Sequence, residues 1–220
     1  MSPAPGDLDE PALRELADVL ATRHRGYAVI LYGSRARGTH RPDSDVDLLL
    51  VRREGGNTRD VRSWRGVQVD AFISEESGLE PERDSGLLRI RQGRLLRDET
   101  GFGAHLIQKA QEVFARGPVP LPPEELKALR VWCHKMLQRV AGREANPVQA
   151  DYRRVSFLTE LLPLYFQARA RWFLGPEESL RALAVEDPRT HEAFARALAP
   201  EASLEVLERL VCRVLPEEAP

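Results

Sequence analysis

Two aspartates one residue apart, Asp45 and Asp47, are the strongest chemical signal in this 220-residue chain. They open an apolar run, Val46 to Val51, that reads as a buried strand. Side chains alternate across a strand, so residues i and i+2 share a face. Asp45 and Asp47 are thus expected side by side at a strand end, with Val46 turned away. Two carboxylates held that close repel one another, and hard divalent cations are the usual remedy. Upstream, Gly33-Ser34 ends another apolar run, Ala28 to Tyr32, at a turn. Gly33 removes a side chain where a ligand could approach the backbone, and Ser34 adds a hydroxyl and an N–H. A strand-to-turn junction of small residues beside a carboxylate pair suits a metal-bound polyphosphate. The loop between them adds Arg35, Arg37, His40 and Arg41, of which Arg35 and Arg37, nearest Ser34, are the better phosphate ligands.

The order Gly33-Ser34, a ten-residue gap, then Asp45-Val46-Asp47 resembles the signature of the nucleotidyltransferase superfamily that includes DNA polymerase beta. In style it is closest to the minimal and aminoglycoside-type members, through Gly33-Ser34-Arg35-Ala36-Arg37-Gly38 and Ser44-Asp45-Val46-Asp47-Leu48. The resemblance covers the first half of the chain and implies a third carboxylate on a neighbouring strand, which Asp70 within Val67 to Ile73 supplies. It further implies that Asp45, Asp47 and Asp70 are both the catalytic residues and the ligands of two Mg²⁺ ions, with Mn²⁺ an alternative. Gly33, Ser34, Arg35 and Arg37 would hold the phosphates of a nucleoside triphosphate, ATP by preference. The implied reaction moves a nucleoside monophosphate onto an acceptor hydroxyl and releases pyrophosphate. Asp70, or a helical carboxylate such as Glu160, would take the acceptor's proton.

Composition narrows the acceptor without naming it. Apolar residues make up 42% and charged residues 30%, ordinary for a soluble protein with a real core. The net charge of -2 gives no global pull toward nucleic acid, which disfavours long duplex DNA. A small molecule is slightly favoured as acceptor over a protein side chain or an RNA 3′ end. The rival of another class is a nucleotide-binding regulatory module without turnover. A toxin-like ribonuclease partner fused in the same chain finds no support, since Arg130 and His134 are separated by only three residues. Cys133 and Cys212 lack metal-ligand spacing, and a reducing cytoplasm is the expectation. The first residues, MSPAPGDLDEPAL, do not read as a signal peptide, and no apolar run reaches membrane-spanning length.

The elements that must position these residues follow in order. A Pro-rich tail, residues 1–7, precedes a helix introduced by Asp9 and Pro11 and closing near His24-Arg25-Gly26. Arg35 to Gly38 reads as a helical turn, Thr58 to Trp64 is ambiguous with a short helix as one reading, and Val67 to Ile73 reads as the third strand. The second part of Ser77 to Gln92 reads as helix, Leu95 to Arg97 as an edge strand, and Gly101 to Arg116 as a helix. Four prolines within 117–123 mark a linker. Beyond it, Glu124 to Gly142, Val148 to Leu174, Pro176 to Val185, Asp187 to Leu198 and Glu201 to Leu215 all read as helices, with Tyr152 to Phe173 at the centre of a bundle. The expected architecture is α+β: a small mixed-sheet domain over 1–116, the linker, and a helical acceptor-binding domain over 124–220, with the active site in the cleft between them.

Overall fold

The computed structural model describes residues 8–142 and 146–215; the Pro-rich tail at 1–7 lies outside them. The chain divides into two compact units, Met1–Arg116 and Gly117–Pro220.

Unit one is built on a five-stranded mixed sheet in the order β3-β4-β2-β1-β5. The strands are β1 (Gly26–Tyr32), β2 (Val46–Arg52), β3 (Thr58–Trp64), β4 (Val67–Glu75) and β5 (Arg94–Asp98). β2 and β4 run parallel, and every other neighbouring pair is antiparallel. β1 and β2 are near-continuous Val, Ile, Leu and Ala because both faces of the sheet are covered there, whereas β4 alternates buried Val67, Val69, Ala71 and Ile73 with Gln68, Asp70 and Phe72. Helix α1 (Glu10–His24) covers one face; its Leu13, Leu16, Ala17 and Leu20 pack on Val29, Leu31, Val46, Leu48, Leu50, Val69, Ala71 and Ile73. Asp9 caps it, accepting from the Ala12 amide at 2.9 Å. Arg25, at φ 55°, turns the chain out of α1, and Gly26 starts the strand pressed against Leu50, where a β-carbon would collide.

The opposite face carries the other parity: Ile30, Tyr32, Asp47, Leu49, Asp70 and Phe72. A five-residue helix, α2 (Gly33–Arg37), a 3-10 helix over Ser85–Gln92 and α3 (Phe102–Arg116) belong to this side. Gly93 ends the 3-10 helix hard against the Ile30 side chain.

One expectation is corrected here. Thr58 to Trp64 is strand β3, not a helix, so the strand bearing Asp70 is the fourth. β3 and β4 form a hairpin closed by Arg65-Gly66, both at positive φ (48° and 83°), the geometry that suits the right-handed twist of paired strands. The second part of Ser77 to Gln92 is helical as expected, a 3-10 helix over Ser85–Gln92.

Unit two is a helical bundle of α4 (Pro123–Ala141), α5 (Pro147–Gln167), α6 (Pro176–Glu186), α7 (Pro188–Leu198) and α8 (Leu204–Val214). The first four each open on a proline, which has no N–H to leave unpaired in the first turn. Its core gathers Cys133, Phe157, Leu158, Leu161, Phe166, Leu183, Phe194, Leu207 and Leu210, with α5 contributing the most. α5 ends at Gln167, short of the Leu174 expected from pattern. There Arg169 leaves the helix to donate to the Arg213 and Val214 carbonyls at the end of α8, at 2.8 and 2.9 Å. No helix among the described residues is long and apolar enough to cross a membrane.

Candidate active site

Sheet register builds the site. Tyr32 on β1 pairs with Asp47 on β2, and Asp47 pairs with Asp70 on β4. One row across three strands therefore reads Tyr-Asp-Asp, all on the face away from α1. Paired residues in adjacent strands point to the same side, which brings the two carboxylates together from 23 residues apart in sequence. Asp45 lies one step before β2, exposed, at the mouth of the same row.

Gly33 is explained by its neighbour. It sits at φ +75°, and a β-carbon there would overlap the Asp47 carboxylate. The glycine thus lets the acid pack directly on the backbone of the turn, a close approach that any side chain would block. Ser34 lies in α2; its hydroxyl makes no hydrogen bond among the described residues, while its carbonyl accepts from the Thr39 amide at 3.0 Å. The residue preceding α2 gives no side-chain cap.

Arg35 braces the loop that leads into β2. It is buried, and its guanidinium donates to the Ser44 carbonyl at 2.7 and 3.0 Å and to the Asp45 carbonyl at 3.1 Å. It fastens the loop that delivers Asp45 to β2. Arg41 closes the same loop, its amide donating to the Ser44 hydroxyl at 2.9 Å and its side chain to Asp43 at 3.2 Å. Arg37 stands nearer the acids, and its charge helps to lower the Asp47 pKa.

Asp47 carries the electrostatic signature of the site. Burial, first, then the charges of Asp70 and Asp45 push its carboxyl up to about 6, with Arg89 and Arg37 opposing. Asp70 is gripped by Arg59 of β3 in a two-point fork, Nε to Oδ1 at 2.6 Å and Nη2 to Oδ2 at 2.5 Å. With Asp70 turned onto Arg59, no set of three His, Cys, Asp or Glu side chains among the described residues converges as a metal cluster. The donor chemistry nonetheless suits hard cations: all-oxygen ligands, an unneutralised carboxylate, and a third acid in register.

Two residues of the site escaped the sequence reading, Arg59 and Arg89. Both guanidiniums lie over the Phe72 ring, at 4.9 and 4.4 Å, and Arg89 also lies 5.0 Å from the Tyr32 ring. Arg59 sat in a stretch of ambiguous pattern, and Arg89 in one of mixed pattern; neither had a spacing that tied it to the acids. In unit two, Glu160 is exposed on α5 beside Trp132, at a cavity of about 350 Å³. Trp132 meets Phe157 edge-to-face at 5.3 Å, and Tyr165 and Phe166 are buried, so these aromatics serve the core. Burial pushes the Cys133 thiol up to about 12, and that sulfur is inert at neutral pH.

Known proteins bear on this geometry. The family described as nucleotidyltransferase domain matches residues 13–82, which run from α1 through β4 and contain every residue of the acidic row. A Methanocaldococcus jannaschii protein, provisionally named a protein adenylyltransferase, is 40% identical over 45 residues, 20% of this chain and 45% of its own length. The chain thus spans under half of that relative. A nucleotidyltransferase-like protein of solved structure from Exiguobacterium sibiricum aligns over 94% of this chain and 72% of its own at 16% identity and a TM-score of 0.45. The family match falls on the very strands and turn that gather Gly33, Asp47 and Asp70, so the likeness to a nucleotidyltransferase domain rests on the stretch that builds the site.

Proposed function

We propose that the chain transfers a nucleoside monophosphate from a triphosphate to an acceptor hydroxyl, releasing pyrophosphate. The observation that carries this is the Asp47–Asp70 register with Asp45 at its mouth and Gly33 beneath it. Asp45, Asp47 and Asp70 would hold divalent cations, Mg²⁺ by preference, whose charge neutralises phosphate oxygens and lowers the acceptor hydroxyl's pKa. Ser34, the backbone around it and Arg37 engage the phosphates. The acceptor oxygen attacks the α-phosphorus in line, the bond to the β-phosphate oxygen breaks, and Asp70 is the carboxylate we assign to take the proton. Positioning and charge, rather than covalent chemistry, are the protein's contribution. Unit two, with its exposed Glu160, is our candidate for binding the acceptor.

A second reading concerns that acceptor. A small molecule fits the modest net charge, but the 45-residue match to a protein named for adenylylating proteins favours AMP as the group and a protein hydroxyl as its destination. The test is label transfer from each α-labelled triphosphate with Mg²⁺ or Mn²⁺, offering aminoglycosides, short RNA and a cell extract. Label should move to one class and vanish in Asp45→Ala/Asp47→Ala. Metal-dependent triphosphate binding with no transfer to any acceptor would favour a regulatory binding module instead.

A further inference from the structure

Resting on the proposed reaction, we propose that Arg89 is a binding residue for the phosphate chain of the nucleotide, supplied from the 3-10 helix over Ser85–Gln92. Its guanidinium is held between two aromatic faces, 4.4 Å from the Phe72 centroid and 5.0 Å from that of Tyr32. Tyr32 belongs to the acidic row, and Phe72 stands two residues beyond Asp70 on the same strand face. Ring faces fix a guanidinium plane and weaken its hydration, yet supply no acceptor oxygen. The Arg89 Nε is buried without a hydrogen-bond partner. Arg59, over the same Phe72 ring, is spent on Asp70 in a two-point fork, whereas Arg89 forms no ion pair among the described residues.

A desolvated guanidinium donor with no acceptor costs free energy unless a ligand supplies one. The acids nearby are in the wrong position to do so: Arg89 influences Asp47 through space without a hydrogen bond. What remains is an anion with several acceptor oxygens entering the acidic row, and a triphosphate is that ligand. Guanidinium pairs with phosphate through two parallel N–H···O bonds, and a pre-set plane loses little entropy in making them. In the transfer, the bond between the α-phosphorus and the β-phosphate oxygen breaks as the acceptor oxygen bonds to phosphorus. The charge that gathers on the departing pyrophosphate is the charge Arg89 stabilises.

The test measures binding of ATP, AMP and inorganic pyrophosphate with Mg²⁺ by calorimetry, on wild type, Arg89→Gln and Arg89→Lys, with thermal melts to verify folding. Arg89→Gln should weaken ATP and pyrophosphate by about tenfold to a hundredfold while leaving AMP within a few-fold. Arg89→Lys should recover part of the loss, because charge returns without the fork. Equal weakening of AMP and ATP by a folded Arg89→Gln would overturn the proposal in favour of a packing role. So would unchanged ATP binding in that variant where Asp45→Ala/Asp47→Ala loses it, an outcome that leaves the transferase reading standing. Failure of wild type to bind any of α-labelled ATP, CTP, GTP or UTP would overturn both.

Discussion

The two faces of the central sheet hold aspartates in opposite electrostatic conditions. On the α1 side, Asp60 of β3 is bound by Arg62, by His24 at 2.6 Å and, more loosely, by Arg23 at 3.7 Å. The Arg62 guanidinium, chiefly, holds its carboxyl down to about 2. On the other side, Asp47 is half-buried beside two acids and pushed up to about 6. One acid is satisfied, the other is left short of positive charge. A satisfied acid contributes to the fold; an acid kept short of cations stores a demand that a ligand can meet. The same strands serve both ends because alternation sends neighbouring residues to opposite faces.

That contrast can be broken by mutation. Asp45→Ala/Asp47→Ala should remove nucleotidyl transfer by about a thousandfold or more while the fold survives, measured by label transfer and by circular dichroism. An unfolded double variant would assign these acids to structure. Gly33→Ala should cost about 2 kcal/mol of stability, from a positive φ and the overlap with Asp47, and should also depress activity through the displaced carboxylate. Denaturant titration checks the first half of that expectation and the transfer assay the second.

Asp60→Asn should destabilise by about 2 kcal/mol at pH 7 with little effect on transfer, since it strips a shared partner from Arg62 and His24. Because the folded-state pKa of Asp60 lies below its unfolded value near 3.8, its contribution is present above about pH 4 and is lost as pH falls toward 2. The difference between wild type and variant should therefore close in that window. Asp47→Asn should behave in the reverse sense. Its folded pKa lies above the unfolded value, so the native state binds more protons and wild type loses stability as pH rises from about 4 to 6. Without divalent metal, the variant should be more stable than wild type by about 1 kcal/mol at pH 7 and equal to it below pH 4. Melts at pH 7 and pH 3.5 decide it; a destabilised Asp47→Asn at pH 7 would mean that Asp47 is as well neutralised as Asp60.

Much of the site was legible because its chemistry is local. The i, i+2 aspartates on an apolar strand and the small residues at a strand-to-turn junction are short-range facts, and so is the proline cluster near the change from strands to helices. Arg35 shows where such reading stops. Its place beside Ser34 suggested phosphate; the structure buries its side chain and turns its guanidinium onto the Ser44 and Asp45 carbonyls, contacts that no spacing encodes. β3 was misread because Arg59, Asp60 and Arg62 give a polar edge strand little hydrophobic alternation; only pairing with β4 through Arg65-Gly66 settles it.

Local sequence therefore determined the acids, the turn, the elements' rough extents and the resemblance to a nucleotidyltransferase domain. Tertiary structure decided which groups meet. The parallel register of β2 and β4 places Asp70 beside Asp47, the hairpin brings Arg59 onto Asp70, and the 3-10 helix lays Arg89 over Tyr32 and Phe72. Each of these contacts joins residues between 11 and 57 positions apart. No propensity or periodicity encodes them, because register and packing are set by how whole faces bury their apolar surface against one another.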